Sequence, residues 1–594
     1  MIARARRSCC LGAPAAALGM HTLRILRAYV VGAGLASLLL LARGAGGQPA
    51  STARDSAPDV LYVNARIWTG DSTYPSAQAL AVRGDRLVSV GSDAVVRALR
   101  GPKTRVVDLA GQRVVPGFID AHWHLPTQAR ADLTDAGSPA VIVRRLRDWA
   151  RTLPPGAWVV GRGWTPSDFP GNAPDRQFLD AAFPDRPVIL TDRDGHQSLV
   201  NSVALARAGV TRTTADPPRG RIVRSADGTP TGLLKETASS LVSSKVPPPT
   251  TRDIAQRLDE QTRRAASFGL TMLQEASARE PSGAVFDALE RASANGTLRV
   301  RFLVSVPFTP GVTTDALRRY VTLRNAHRGT MLRYGIAKGM LDGTVDAKTA
   351  AMLAPYAGTD DTGLPFWPVS ALNRGVALYD SAGLQIQLHA IGDKAIRMAL
   401  DAYQSAARAN RTTGRRHRVE HIEVPDPADL PRFKQLGVIA STQAIFAGPD
   451  ANTLANYAPL LGPQRAARSN AFKYFDDAGA VQAFGSDYPV FPMDVMRGIH
   501  TAVTRQMPDG TPRGGWYPAS RITVEAAVRH YTRDAAYAAF MEQETGTLAV
   551  GKLADFVVLS KDIFAEPSTE LLRTRILRTI VGGREVYRGT AAGK

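Results

Sequence analysis

Two histidines one residue apart, His122 and His124, stand in the run Val115-Pro116-Gly117-Phe118-Ile119-Asp120-Ala121-His122-Trp123-His124. Side chains of an extended strand alternate between its faces, so Asp120, His122 and His124 are expected on one face and Ile119, Ala121 and Trp123 on the other. Two imidazoles at that spacing can converge on one metal ion at about 2.0 to 2.1 Å. Taken alone, such a pair is as often a surface or hydrogen-bonded pair. Here the Pro-Gly-Phe-Ile-Asp lead-in and the shared phase favour ligation. His389 comes near the end of Leu384-Gln385-Ile386-Gln387-Leu388-His389-Ala390, just before the turn Gly392-Asp393. A lone strand histidine is commonly a satisfied core residue, but a place at the strand's C-terminal end favours chemistry. His421, in Arg418-Val419-Glu420-His421-Ile422-Glu423, ends its run in the same way, with Glu423 in phase as a hydrogen-bonding partner. Asp487, in Phe484-Gly485-Ser486-Asp487-Tyr488-Pro489, adds one carboxylate.

Lys338 sits in the apolar run Gly335-Ile336-Ala337-Lys338-Gly339-Met340-Leu341 of a lysine-poor chain. A buried ammonium is unfavourable unless it is paired or neutralised. One account pairs it with Asp342 or lets it snorkel to solvent. The other has a neutral amine capture carbon dioxide as a carbamate, whose two oxygens would bridge two metals.

These residues fall at the ends of short apolar runs that alternate with helical patterns, the texture of parallel strands joined by crossover helices. Eight such strands are expected at 118–124, 269–275, 299–306, 334–341, 384–390, 417–423, 437–443 and 481–487. That is the number a (β/α)8 TIM barrel requires, with its chemistry at the C-terminal strand ends. The gap after the first strand is too long for one crossover, so residues 125–268 are expected to be an insertion over the site's mouth, shaping specificity. Strand-like runs Val60 to Trp68, Ala79 to Val90 and Arg105 to Leu109, with turn residues Gly84-Asp85 and Gly91, predict antiparallel structure. The same texture returns in Asp555 to Leu559 and Ile576 to Tyr587. A small β-sandwich built from both chain ends follows, 48–115 and 540–594 flanking a barrel over 116–539.

At 44% hydrophobic and 21% charged residues the chain is ordinary globular protein. Its net charge of +20 raises the question of a nucleic-acid partner. The basic residues are scattered, with no tract to follow a phosphate backbone, and that class is set aside. Both cysteines, Cys9 and Cys10, precede the folded body, which excludes disulfides and cysteine ligands from it. Arg24 and Arg27, the apolar stretch Ala28 to Leu41 and the small residues to Gly47 read as an export signal over 1–47. The apolar stretch is short for a membrane span, and an uncleaved anchor is the only membrane contact expected. The mature protein would start near Gln48, outside the cytoplasm.

With these residues in place, the chain resembles the amidohydrolase superfamily, in the branch containing N-substituted formamide deformylase. Beyond the first-strand motif, the resemblance rests on Gly195-His196 with Asn201-Ser202, Lys338 with Asp342-Gly343-Thr344, His389-Ala390-Ile391-Gly392-Asp393, Arg418-Val419-Glu420-His421, Gly485-Ser486-Asp487, and Gly551-Lys552-Leu553-Ala554-Asp555. It implies that His122, His124, His389, His421, Asp487 and a carboxylated Lys338 bind one or two divalent metals, zinc expected first. It further implies a metal-activated water that attacks a carbonyl, with Asp487 as base and then acid and His196 adding a hydrogen bond. Relatives usually carry Gln-Pro after the seventh strand where this chain has Gln443-Ala444, a departure expected to touch only the substrate rim. Trp164 is a candidate for the pocket wall. A small-molecule amide or formamide is the first target. Cyclic-amide hydrolysis and deamination are the alternatives, the latter weakened by the missing His-x-x-Glu pattern, and a non-catalytic barrel scaffold is the reading from another class.

Overall fold

Phe118–Trp123 is buried along its whole length, the state of a parallel strand covered on both faces. In the computed structural model, which describes residues 57–589, it is the first of eight strands in one sheet. The others are Leu270–Glu275, Arg301–Pro307, Leu332–Met340, Gln385–Ala390, Arg418–His421, Ile439–Gln443 and Gln482–Gly485. Every hydrogen-bonded neighbour pair among them is parallel. The eighth strand returns to the first at the C-terminal end, where Asp487 N donates to His122 O (2.7 Å) and His124 N to Tyr488 O (2.8 Å). Gly485 makes this approach possible, because a Cβ there would stand 2.5 Å from His122 N. The result is the expected (β/α)8 TIM barrel.

The alternation expected of the first strand fails at a bulge. The ladder pairs Leu273 with Asp120 and Glu275 with Trp123, so Ala121 and His122 together face the single residue Gln274. Up to the first residue of the bulge, Ile119 and Ala121 pack with Met272, Leu303, Ile336, Ile439 and Ala483, one residue from each of five other strands. The short helix Arg533–Ala538 plugs this end of the barrel, its carbonyls at Ala535 and Ala538 accepting from Gln274 Nε2 (3.1 Å) and Gln385 Nε2 (2.9 Å). After the bulge the phase is reset and His122 reaches the cavity. Asp120, expected in the interior beside the histidines, instead ties the barrel seam by accepting from Ser486 N (2.9 Å) and Ser486 Oγ (2.5 Å).

The antiparallel expectation for the N-terminal runs is met only in part. Val60 to Trp68 is two strands in two sheets, Val60–Val63 and Arg66–Trp68, separated at Asn64, whose φ is 55°. Val60–Val63 pairs antiparallel with Ala79–Arg83 but parallel with Arg105–Asp108. Arg66–Trp68 lies parallel to Arg113–Pro116, and the C-terminal strand Phe556–Leu559 joins that same sheet antiparallel to Arg113–Pro116. Val60, Tyr62, Leu80 and Leu87 of one sheet pack against Val114, Phe556, Val558 and Ile580 of the other, giving a sandwich core contributed by both chain ends.

The segment between the first two barrel strands has a sheet of its own, in the order Gly220–Arg224, Pro230–Glu236, Gln197–Val200, Val188–Asp192, Val159–Trp164, Ala131–Asp132. It is tied to the barrel loops: Arg193 pairs with Asp450, and Lys235 Nζ donates to Ala347 O at 2.7 Å. The chain returns to the barrel through the helix Thr251–Ser267, opened by a capping box between Thr250 and Asp253 and buried along Ile254, Leu258 and Ala265. The 1–47 segment, with Cys9 and Cys10, lies outside the described residues. Among the described residues no helix is long and apolar enough to cross a membrane.

Candidate metal centre

The C-terminal ends of the barrel strands enclose a cavity of about 430 Å³ whose wall includes His122, His124, Lys338, His389, His421 and Asp487. All six expected ligands therefore meet in one place. One ligand atom from each of His122, His421 and Asp487 lies within 4.8 Å of the others. Asp487 Oδ1 is 2.9 Å from His124 Nε2 and 3.5 Å from His122 Nε2. Lys338 Nζ is 3.4 Å from His122 Nε2, and the His389 and His421 rings are 4.4 Å apart between centroids.

Each imidazole is held from behind. His122 Nδ1 meets Glu420 Oε2 at 2.5 Å, His421 Nδ1 meets Gln443 Oε1 at 3.0 Å, and His124 Nδ1 meets Ser277 Oγ at 3.0 Å. A proton kept on Nδ1 leaves Nε2 as an electron-pair donor. His389 is the reverse, its Nε2 donating to Gly343 O at 3.3 Å and freeing Nδ1. Burial first, and then neighbouring cations, hold His122, His389 and His421 well below the usual histidine range. Three neutral rings and a carboxylate converging on one cavity are the donor set a divalent cation takes, and the site fits the implied metal.

Lys338 is not paired with Asp342. Asp342 accepts from the backbone N–H groups of Ala351 (2.9 Å), Ile391 (3.1 Å) and Gly392 (2.9 Å), fixing the loops after the fourth and fifth strands. Lys338 makes no ion pair among the described residues, and burial brings its amine down to about 8 against the opposing pull of Glu420 and Asp487. Glu423 is likewise not the partner of His421. The strand ends at His421, where φ is 74° and that of Ile422 is 54°, so alternation does not carry to Glu423. Its carboxyl is hydrogen-bonded with Tyr457 and pushed up to about 8 by burial. Gln443 takes the partner's place, so the Gln443-Ala444 pair supports a ligand and is buried, not part of the rim.

Left-handed backbone at His421 and Asp487 (φ 55°) recurs where the site needs it. It lets the consecutive residues Glu420 and His421 both serve the centre. Glu420 is the functional residue the sequence reading passed over. Its signal was its phase with Arg418, whose buried guanidinium holds Glu420 Oε1 at 2.9 Å and donates to Ala121 O and Ser441 Oγ.

His196 enters from the insertion. Its ring is 5.1 Å from that of His389, and its Nδ1 is 2.8 Å from Glu236 Oε2. Burial opposes its charge, but Glu236 prevails and raises it to about 9. Trp164 is no pocket wall. It is fully buried in the insertion's core, edge-on to Phe169, with Nε1 donating to Leu190 O at 3.0 Å.

A parallel eight-stranded barrel with this donor set at its C-terminal end defines a hydrolase of the metal-dependent class. The sequence profile of the amidohydrolase family matches residues 105–587, and the chain belongs to that family. It is 33% identical over 542 residues to Protein LONG AFTER FAR-RED 3 of Arabidopsis thaliana, covering 89% of this chain and 91% of that protein. It is 28% identical over 558 residues to the N-substituted formamide deformylase of Arthrobacter pascens, covering 90% and 99%. Among solved structures, an uncharacterized metal-dependent hydrolase from Pyrococcus horikoshii OT3 superposes with a TM-score of 0.67 at 23% identity, over 86% of this chain and 99% of that one.

Proposed function

We propose that the chain hydrolyses a carbon–nitrogen bond, outside peptides, in a small amide or formamide. His122, His124, Lys338, His389, His421 and Asp487 form the metal-binding set, and Asp487 and His196 are the catalytic residues. The observation that carries this reading is the convergence of His122, His421 and Asp487 within 4.8 Å, beside an amine with no counter-ion. One or two divalent ions held there, zinc first, would lower the pKa of a water and polarise the scissile carbonyl. Asp487 accepts the water's proton and delivers it to the departing nitrogen. That second delivery is why a C–N bond is favoured, since an amine leaves readily only once its nitrogen is protonated. His196, cationic and anchored by Glu236, offers a donor to the carbonyl oxygen as negative charge builds on it. Lys338, with its amine near 8, would in its neutral form bond through nitrogen to the carbon of carbon dioxide and release one proton, leaving an anionic carbamate that could help hold the metal. The similarity to a formamide deformylase along nearly its whole length supports the choice of bond. Export of the mature chain is part of the proposal and rests on the 1–47 sequence.

The test is a metal assay joined to a screen of N-formyl, N-acyl and cyclic amides, with Asp487→Asn as control. Bound zinc or a similar ion and turnover that the variant loses are expected. A chain that binds no divalent ion, or a variant with full activity, would overturn the reading.

A further inference from the structure

Two guanidinium groups on the wall of the same cavity, Arg130 and Arg162, form no ion pair among the described residues, unlike three other desolvated arginines. Arg301 is gripped by Asp555, Arg418 by Glu420, and Arg279 on the same wall by Glu275 at 3.2 Å. Arg130 makes no hydrogen bond and no ion pair among the described residues. Arg162 donates from Nη2 to Arg193 O at 2.8 Å, and its Nε is buried without a partner. Burial, and after it the nearby Arg162, brings Arg130 down to about 10, and it stays cationic at neutral pH.

The acids on this wall do not neutralise the pair. Asp194 is engaged by Arg193 at 3.3 Å, and Asp192, the acid that acts most strongly on Arg162, spends its oxygens on Gly195 N (2.8 Å), Gln197 N (3.0 Å) and Gln197 Nε2 (3.3 Å). Asp487 is committed to the centre. A half-desolvated guanidinium without a counter-ion is unfavourable by itself, and its planar fork is matched best by a carboxylate. The cavity's 430 Å³ is of the size that takes a small organic ligand.

We infer that Arg130 and Arg162 form an anion subsite, and that the substrate is a small amide carrying a carboxylate a few atoms from the scissile bond. This rests on the hydrolase reading above and adds the substrate class. Both arginines come from the segment between the first two barrel strands, so the insertion supplies the recognition and the barrel the chemistry.

The experiment is calorimetric titration of the full chain, metal-free and metal-loaded, with N-acetyl-leucine and N-acetyl-leucinamide, alongside turnover of both. The carboxylate is expected to bind at least about tenfold tighter in both forms. That preference should fall about tenfold or more in Arg130→Gln, return in part in Arg130→Lys, and fall likewise in Arg162→Gln. Thermal melts check that each variant is folded. Equal affinity for the two ligands, or a preference that survives in both glutamine variants, overturns the subsite. Selective carboxylate binding without hydrolysis of any amide would sink the carbon–nitrogen reading and keep the subsite. Hydrolysis of neutral amides with no carboxylate preference does the reverse.

Discussion

Two of the buried charged clusters among the described residues are built on opposite plans. Arg301, on the third barrel strand, and Asp555, beside the C-terminal sandwich strand, form a two-pronged pair at 2.7 Å on each arm, with side chains 2% and 1% exposed. Gly582 N (2.7 Å) and Thr545 Oγ (3.2 Å) fill the rest of the carboxylate. Despite burial, Asp555 holds the guanidinium above its ordinary value. At the metal centre the logic is inverted. An amine has no carboxylate, three imidazoles are held neutral, and two residues take left-handed backbone. The first cluster is satisfied within the protein and joins barrel to sandwich. The second leaves an amine without an ion pair and converges imidazoles and a carboxylate on a cavity, and groups perturbed in that way mark a functional cluster, unlike a structural one.

The sharpest way to break this contrast is one carboxylate-to-amide change in each cluster. Asp487→Asn is expected to lower kcat/KM by about 10³-fold or more, the range for loss of a general acid–base group. The stability of the metal-free chain should stay within about 1 kcal/mol. Asp555→Asn should destabilise by about 3 to 5 kcal/mol, because a buried guanidinium is left without its counter-ion. Denaturant melts and steady-state kinetics on both variants decide it. Equal effects on activity and stability from the two changes would erase the distinction.

Legibility in the sequence followed the same division. The eight barrel strands were readable because each is an apolar run bounded by loops, and observed ends lie within two residues of the expected ones at every ligand-bearing strand, the sixth ending at His421 where Glu423 was expected. The ligands themselves were readable because their side-chain types and strand-end positions are rare in combination. What could not be read is set by register and tertiary constraint. The bulge at Ala121 and His122 has no signature in a two-residue period, so the facing prediction was right for His122 and wrong for Asp120, expected inside, and for Ile119 and Ala121, expected outside. The positive φ at His421 is imposed by its surroundings, and it broke the phase argument for Glu423. Gln443 meets His421 only through the pairing of neighbouring strands, which no local pattern encodes. Trp164 was misjudged because a sheet with its own core was not foreseen in the insertion.

His196 belongs to both plans and tests where the boundary falls. Like Arg301 it is paired by an acid, yet it stands beside a ligand. Glu236 raises its folded value to about 9 from an ordinary 6.5, so the pair's contribution is full below about pH 6.5 and is lost as pH rises through about 9. The metal-free protein should therefore lose up to about 3 kcal/mol across that window, and His196→Gln should flatten the loss. Melts from pH 6 to 10 measure it. A wild-type profile no steeper than the variant's would mean that the pair is not charged.

The smallest expected effect isolates the inner support of the centre. Gln443→Ala removes no ligand but frees the Nδ1 of His421. The Gln443 amide Nε2 is itself buried without a partner, so the side chain is held mainly for its oxygen, and the change should leave stability within about 1 kcal/mol. Freed of its acceptor, the ring loses both its orientation and the preference for a proton on Nδ1. Metal affinity should fall about 10- to 100-fold, with kcat at saturating metal changed less. Gln443→Glu keeps the acceptor and should retain affinity. Competitive metal titration separates the two variants, and equal affinity in Gln443→Ala and wild type would show that His421 is oriented by its backbone alone.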